Sequence, residues 1–148
     1  MRFVIQRVSS ASVTVDGKTV GQIGKGFMVL AGVYQEDTKQ TADKMVKKLC
    51  GMRIFADKNG KTNLALADVG GELLIVSQFT LCADCKHGNR PSFSAAAGAA
   101  QAEEMYRYIL EKAREIIPSV QEGVFGADMK VELLNDGPFT VILDSDDL

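Results

Sequence analysis

Two short segments carry most of the groups that could do chemistry. Ser77-Gln78-Phe79-Thr80-Leu81 places two hydroxyls and an amide within four residues, directly after the apolar run Leu73-Leu74-Ile75-Val76. Sites are often built from polar groups at a strand end, although Ser77 and Thr80 could equally satisfy backbone groups at a turn. Asn135-Asp136-Gly137-Pro138-Phe139-Thr140 joins two strand-like runs. By default a Gly-Pro dipeptide is a turn. An X-Pro bond, however, reaches the cis form for only about 0.5–1 kcal/mol. A cis peptide draws neighbouring Cα atoms to about 2.9 Å and re-aims the flanking carbonyls. Gly137, lacking a Cβ, also lets backbone approach a ligand closely. The residues permit such an arrangement without requiring it.

Other candidate chemistries have less support. Cys82-x-x-Cys85 with His87 nearby invites a metal or redox reading. A structural zinc site needs four ligands, and the remaining cysteine, Cys50, is distant in sequence. A redox Cys-x-x-Cys normally opens a helix, whereas this pair falls in a polar loop. Any Ser-His-Asp or Cys-His device would need His87, the sole histidine, which sits among Lys86, Gly88 and Asn89 in a polar turn. No G-x-G-x-x-G or G-x-x-x-x-G-K-[ST] pattern occurs, so nucleotide-cofactor readings have no footing. The expectation is no metal and no cofactor, with catalysis drawn from backbone groups, hydroxyls or the substrate itself.

The elements that must position these segments follow from patterning. Arg2–Val8 and Ala11–Val15 are expected as strands, the second ending in an Asp16-Gly17 hairpin turn before Thr19–Ile23. Phe27–Val33 is a continuous apolar run of buried-strand type. Ala42, Met45, Val46 and Leu49 form a helical stripe, with Thr38 or Thr41 as N-cap and Gly51 at C′. Arg53–Phe55 is extended, Asn59-Gly60 is a hairpin turn, and Glu72–Gln78 is a core strand. A second helix is expected over Ala99–Ile117, with Met105, Ile109, Ala113 and Ile116 facing inward and Pro118 as its stop. Ser119–Phe125, Asp128–Leu134 and Phe139–Leu143 complete the strands. The pattern predicts an α+β fold: a curled, mostly antiparallel, barrel-like sheet with two main helices packed on it.

The 148 residues, 46% hydrophobic and 24% charged, fit one domain spanning 1–148. The opening Met1–Val8 is too short and too polar for a signal peptide. No apolar stretch reaches the roughly 18 residues of a membrane span. Three cysteines cannot all pair, which suits a reducing compartment, and a cytoplasmic protein is expected. The net charge of −2 argues against a non-specific nucleic-acid binder, so any RNA contact must be local. Basic residues gather at Lys44, Lys47 and Lys48 and again at Lys86, His87 and Arg90; the first group suits a solvated helix face.

Taken together, the chain resembles the D-aminoacyl-tRNA deacylase family, of the D-tyrosyl-tRNA deacylase type. The likeness rests on Gln6-Arg7-Val8 in the opening strand, Gly24–Val33, SQFTL at 77–81, Arg90-Pro91-Ser92-Phe93, and NDGPFT at 135–140. Neither motif alone is specific; their combination at this spacing is. The resemblance implies a homodimeric hydrolase that cleaves the ester between a D-amino acid and the 3′-terminal adenosine of tRNA, and that also removes glycine mischarged on alanine tRNA. It implies a cis Gly137-Pro138 bond that reaches into the partner's pocket, holds the substrate amino group and rejects L side chains, with Arg7 orienting the dipeptide. Ser77, Gln78, Phe79 and Thr80 would surround the ester, the Phe79 N–H serving as oxyanion donor and the substrate 2′-hydroxyl assisting water. Alternatives are a small-ester hydrolase using Thr80 as nucleophile, and a non-catalytic RNA- or ligand-binding module. Phe139 departs from the valine common in the family, which should alter packing behind the motif.

Overall fold

The computed structural model describes all 148 residues. Its main sheet has six strands in the order β2-β1-β3-β6-β7, with β8 on the other side of β1. The strands are β1 (Arg2–Val15), β2 (Lys18–Ile23), β3 (Gly26–Gly32), β6 (Glu72–Ser77), β7 (Val120–Glu122) and β8 (Lys130–Asp144). A two-stranded ribbon, β4 (Phe55–Ala56) with β5 (Thr62–Leu64), lies apart. The helices are α1 (Lys39–Cys50) and α2 (Ala99–Arg114).

β1 pairs antiparallel with β2, β3 and β8, whereas β3/β6 and β6/β7 are parallel. The sheet is therefore mixed, with antiparallel pairings in the majority. Each parallel step is made by a helical crossover, α1 between β3 and β6 and α2 between β6 and β7, as parallel neighbours demand. The strands at this parallel centre are β3 and β6, and both are buried on both faces along nearly their whole length. The outer strands of the path then curl toward each other. A methyl on Gly21 of β2 would stand 2.5 Å from the Glu122 carbonyl of β7, so the missing Cβ is what lets the barrel nearly close.

A 26-residue apolar core fills the space between sheet and helices, with Phe3, Phe27, Met45, Leu49, Leu73, Ile75 and Ile109 fully buried. A separate cluster of Val8, Ala11, Val13, Ile23, Met28, Leu74 and Val76 fills the curl of the sheet. Each fully buried Val, Leu, Ile, Phe or Met among them contributes about 1.5–3 kcal/mol, which makes the sheet a firm base for the segments at its edge.

The helix stripe of α1 is borne out, and Thr38 and Thr41 together form a reciprocal capping box. Gly51, expected at C′, instead sits one position earlier as the cap residue in a right-handed conformation (φ −87°). α2 ends at Arg114, three residues short of the expectation. Pro118 disfavours the α conformation at Ile117, and the tightened last turn buries Ile117 while leaving Ile116 exposed. Two further boundaries differ. Arg2–Val8 and Ala11–Val15 are one strand, and so are the runs on either side of Asn135–Thr140.

Candidate active site

Gly137-Pro138 does not turn the chain. β8 stays paired to β1 before and after it, with Gln6 opposite Thr140 and Val8 opposite Asn135. Between these pairs β1 advances two residues and β8 five, so three residues are extruded as a wide bulge. Asp136, Gly137 and Pro138 are all exposed there. The Gly137-Pro138 bond is cis, and Gly137 has φ +152°, a region that L side chains rarely adopt. A methyl at Gly137 would lie 2.8 Å from the Phe139 amide nitrogen and 3.2 Å from Arg7 Nη2.

The bulge is held by two clips. Arg7 stands on β1 between the two register pairs, which places its side chain under the extruded loop. Its Nε donates to the Asp136 carbonyl at 2.9 Å and its Nη1 to the Ile54 carbonyl at 2.5 Å. The guanidinium also lies 4.6 Å from the centroid of the Phe139 ring, a stacked cation–π seat that a valine could not supply. Arg7 thus grips the carbonyl that precedes the dipeptide. The second clip is Asn135, whose Oδ1 accepts the Phe139 N–H at 2.7 Å. Its Nδ2 donates to Gln6 Oε1 at 3.0 Å and Thr140 Oγ1 at 3.1 Å. Sequence reading placed Asn135 within the motif without giving it a role. The available signal was an Asn four residues before an amide that needs an acceptor at a loop's foot.

The other segment departs from β6. Gln78 donates its N–H to the Ala31 carbonyl at 2.8 Å, so the alternation of the backbone turns the next N–H, that of Phe79, away from β3. Phe79 opens a short 3₁₀ turn, Phe79–Cys82, whose leading N–H groups have no acceptor within the turn. No loop carbonyl or side chain takes the Phe79 N–H. Phe79 is 56% exposed and its ring meets Phe93 edge-on, with centroids 5.1 Å apart. Gln78 Nε2 donates to Thr80 Oγ1 at 2.6 Å.

Beside this turn lies a cavity of about 430 Å³, lined by Ser77, Gln78 and Phe79 on one side and by Ala31, Ala102, Tyr106, Phe125 and Met129 among its apolar walls. Tyr106 donates its hydroxyl to the Ile75 carbonyl at 2.7 Å, and burial pushes its pKa up to about 12, so it stays neutral. Thr80 is exposed and does not line the cavity. Its hydroxyl meets an amide donor, and no base stands against it. Arg7, Gly137 and Pro138 lie together in the chain, but none of them lines the cavity.

Cys82 is buried with its Sγ 3.5 Å from the Val33 carbonyl, and burial raises its thiol pKa; Cys85 is exposed and both are free thiols. No group of three His, Cys, Asp or Glu side chains is clustered as metal ligands. No helix is long and apolar enough to cross a membrane.

A backbone amide without an internal acceptor beside an apolar cavity, with hydroxyls nearby and an exposed backbone loop elsewhere, makes a site built largely from main chain. The model of the D-Tyr-tRNA(Tyr) deacylase family matches residues 4–144. The chain is 51% identical over 145 residues to the D-aminoacyl-tRNA deacylase of Clostridium novyi (strain NT), covering 98% of this chain and 97% of that protein. It is 52% identical to the enzyme of the same name from Clostridioides difficile (strain 630), with the same coverage. Among solved structures, one described as c-Myc DNA Unwinding Element Binding Protein superposes with a TM-score of 0.93 at 41% identity, covering 97% of this chain and 98% of that one. A probable eukaryotic D-amino acid tRNA deacylase superposes at 0.84 with 18% identity over 96% and 97% of the two chains, a likeness of fold. The chain belongs to the D-aminoacyl-tRNA deacylase family, and it is a hydrolase of that kind.

Proposed function

We propose that this chain, as one domain over residues 1–148, is a chiral proofreading enzyme of the cytoplasm. It hydrolyses the ester between a D-amino acid and the 3′-terminal adenosine of tRNA, and also removes glycine from mischarged alanine tRNA. The observation that carries this reading is the Phe79 N–H, which no carbonyl or side chain of the protein takes, on the rim of an apolar cavity. Such a donor is placed to bind the carbonyl oxygen as it gains charge, beside apolar walls that include Tyr106 and Phe125.

Thr80 is not the nucleophile in this mechanism. Its hydroxyl accepts a hydrogen bond from Gln78, which leaves nothing to remove its proton. Water attacks instead, assisted by the substrate's 2′-hydroxyl, while Ser77, Gln78 and Thr80 shape the polar side of the site.

Handedness is decided by Gly137-Pro138 supplied from a second copy, since the dipeptide lies outside the cavity of its own protomer. β8 pairs only with β1, so its outer edge is unsatisfied along its length. Leu134 (61% exposed) and Ile142 (66%) flank the bulge on that strand, a surface that favours covering. A homodimer through this edge brings the clipped backbone to the partner's ester site. There it rejects an L side chain by collision with rigid backbone, and a substrate with no side chain passes.

Time courses with D-tyrosyl-tRNA and L-tyrosyl-tRNA test the reading. Release from the D form alone is expected; equal rates on both, or none on either, would overturn it.

A further inference from the structure

The segment that leaves Cys82 builds a feature the ester site does not use. Asp84 and Ser92 exchange backbone hydrogen bonds in both directions, at 2.8 and 2.9 Å, closing residues 85–91 into a loop. The Asp84 carboxylate at its base accepts the Lys86 N–H at 2.8 Å, and residues 85–91 themselves contain no acid. Lys86, His87 and Arg90 are all exposed, and neither Lys86 nor Arg90 takes part in any ion pair of the chain. Immediately after the bridge, Phe93 packs its ring on Phe79, which ties the loop to the rim of the cavity.

The substrate's reacting ester sits at the end of a polyanion, while the protein carries a net charge of −2 that repels it. Local positive charge beside the cavity resolves the conflict. The other basic cluster, Lys44, Lys47 and Lys48, borders a shallow hollow with Asp147 and Leu148, whereas the 85–91 loop is joined through Phe93 to Phe79 on the cavity rim. We propose that the 85–91 loop is a docking arm for the single-stranded 3′ end of tRNA, with Lys86 and Arg90 contacting the phosphates that precede the terminal adenosine. The inference rests on the deacylase reading above. It assigns substrate holding to a part of the chain that touches neither the ester nor the dipeptide.

Two phosphate contacts on a single strand contribute a salt slope of about 1.4 in log K against log salt. Between 50 and 200 mM salt that amounts to about a sevenfold change in affinity. The test compares the Lys86→Ala/Arg90→Ala double variant with the native full-length protein at both salt concentrations. Two substrates are used: D-tyrosyl-tRNA, and D-tyrosyl-adenosine, which has no upstream phosphates. The expected result is a raised KM for the tRNA with kcat kept, a salt slope smaller by about 1.4, and unchanged constants for D-tyrosyl-adenosine. The charge-keeping Lys86→Arg/Arg90→Lys variant should restore the tRNA KM. Equal losses on both substrates, or failure of the charge-keeping variant, would mean that the loop only shapes the site. An unaltered tRNA KM in the alanine variant would also overturn the proposal. If the native protein cleaves neither substrate, the deacylase reading itself falls, and that outcome is distinguishable from the others.

Discussion

Replacing Asn135 with alanine should cripple selection and turnover while leaving the barrel folded. The side chain accepts from the Phe139 N–H and donates to Gln6 Oε1 and Thr140 Oγ1, at 2.7 to 3.1 Å. A net hydrogen bond is worth about 1 kcal/mol, and a partly buried N–H left without an acceptor costs about 1–3 kcal/mol more. The site is half exposed, so water recovers part of this, and about 2–3 kcal/mol remains on the order of the loop. Because 1.4 kcal/mol is a factor of ten, kcat/KM on D-tyrosyl-tRNA should fall about 30- to 140-fold. Asn135→Asp keeps the acceptor for Phe139 and loses only the Nδ2 donations to Gln6, Thr140 and the Phe139 carbonyl, so it should recover about half of that loss in free energy. The assay is deacylation of D- and L-tyrosyl-tRNA by each variant, with circular dichroism melts run alongside. Residual activity should come with relaxed handedness, since a loose dipeptide no longer meets the L side chain as a wall. Native rates on the D form from a folded Asn135→Ala protein would show that the loop is rigid without its clip, and the reasoning would fail.

Thr80→Ala should keep kcat within about tenfold of native, whereas loss of a true nucleophile costs on the order of 10⁶-fold; single-turnover deacylation distinguishes them. Gly137→Ala should fail for backbone reasons, because its methyl meets the Phe139 amide and the Arg7 guanidinium at a φ that costs about 1–3 kcal/mol for an L residue. A lowered melting midpoint together with lost D activity is expected, and a native melt with native rates would mean that the loop relaxes freely. Ser119 Oγ and the Gly24 N–H both donate to Glu72 and hold its pKa below the ordinary 4.5. A lowered folded-state value stabilises above the unfolded pKa, so its contribution is complete above about pH 4.5 and is lost as pH falls through the folded value. Glu72→Gln should therefore flatten acid denaturation below that point, measured as urea midpoints from pH 3 to 6; parallel curves for both proteins would refute this.

Local chemistry was legible where the cause was local. The Thr38 cap, the α1 stripe and the turns at Asp16-Gly17 and Asn59-Gly60 each follow from a few neighbouring residues. Pairing between distant strands was not. Nothing in Asn135–Thr140 by itself distinguishes a turn from a bulge; the choice is made by β1, whose unbroken run through Val15 offers a continuous partner for both halves of β8. Opposite that strand, a tight turn would have wasted the ladder, and extrusion of three residues keeps it. The parallel centre was partly hidden for the same reason, since Phe27–Val33 and Leu73–Val76 show burial but not neighbours. The candidate site has the same division. SQFTL could be placed at a strand end from its own residues, but its free N–H depends on where Ala31 receives Gln78. Arg7 could be suspected, yet its grip on Asp136 and its seat on Phe139 exist only because the bulge lies over it. The two motifs are each legible as chemistry, but how each is presented is set by neighbouring strands, β1 under the bulge and β3 beside Gln78.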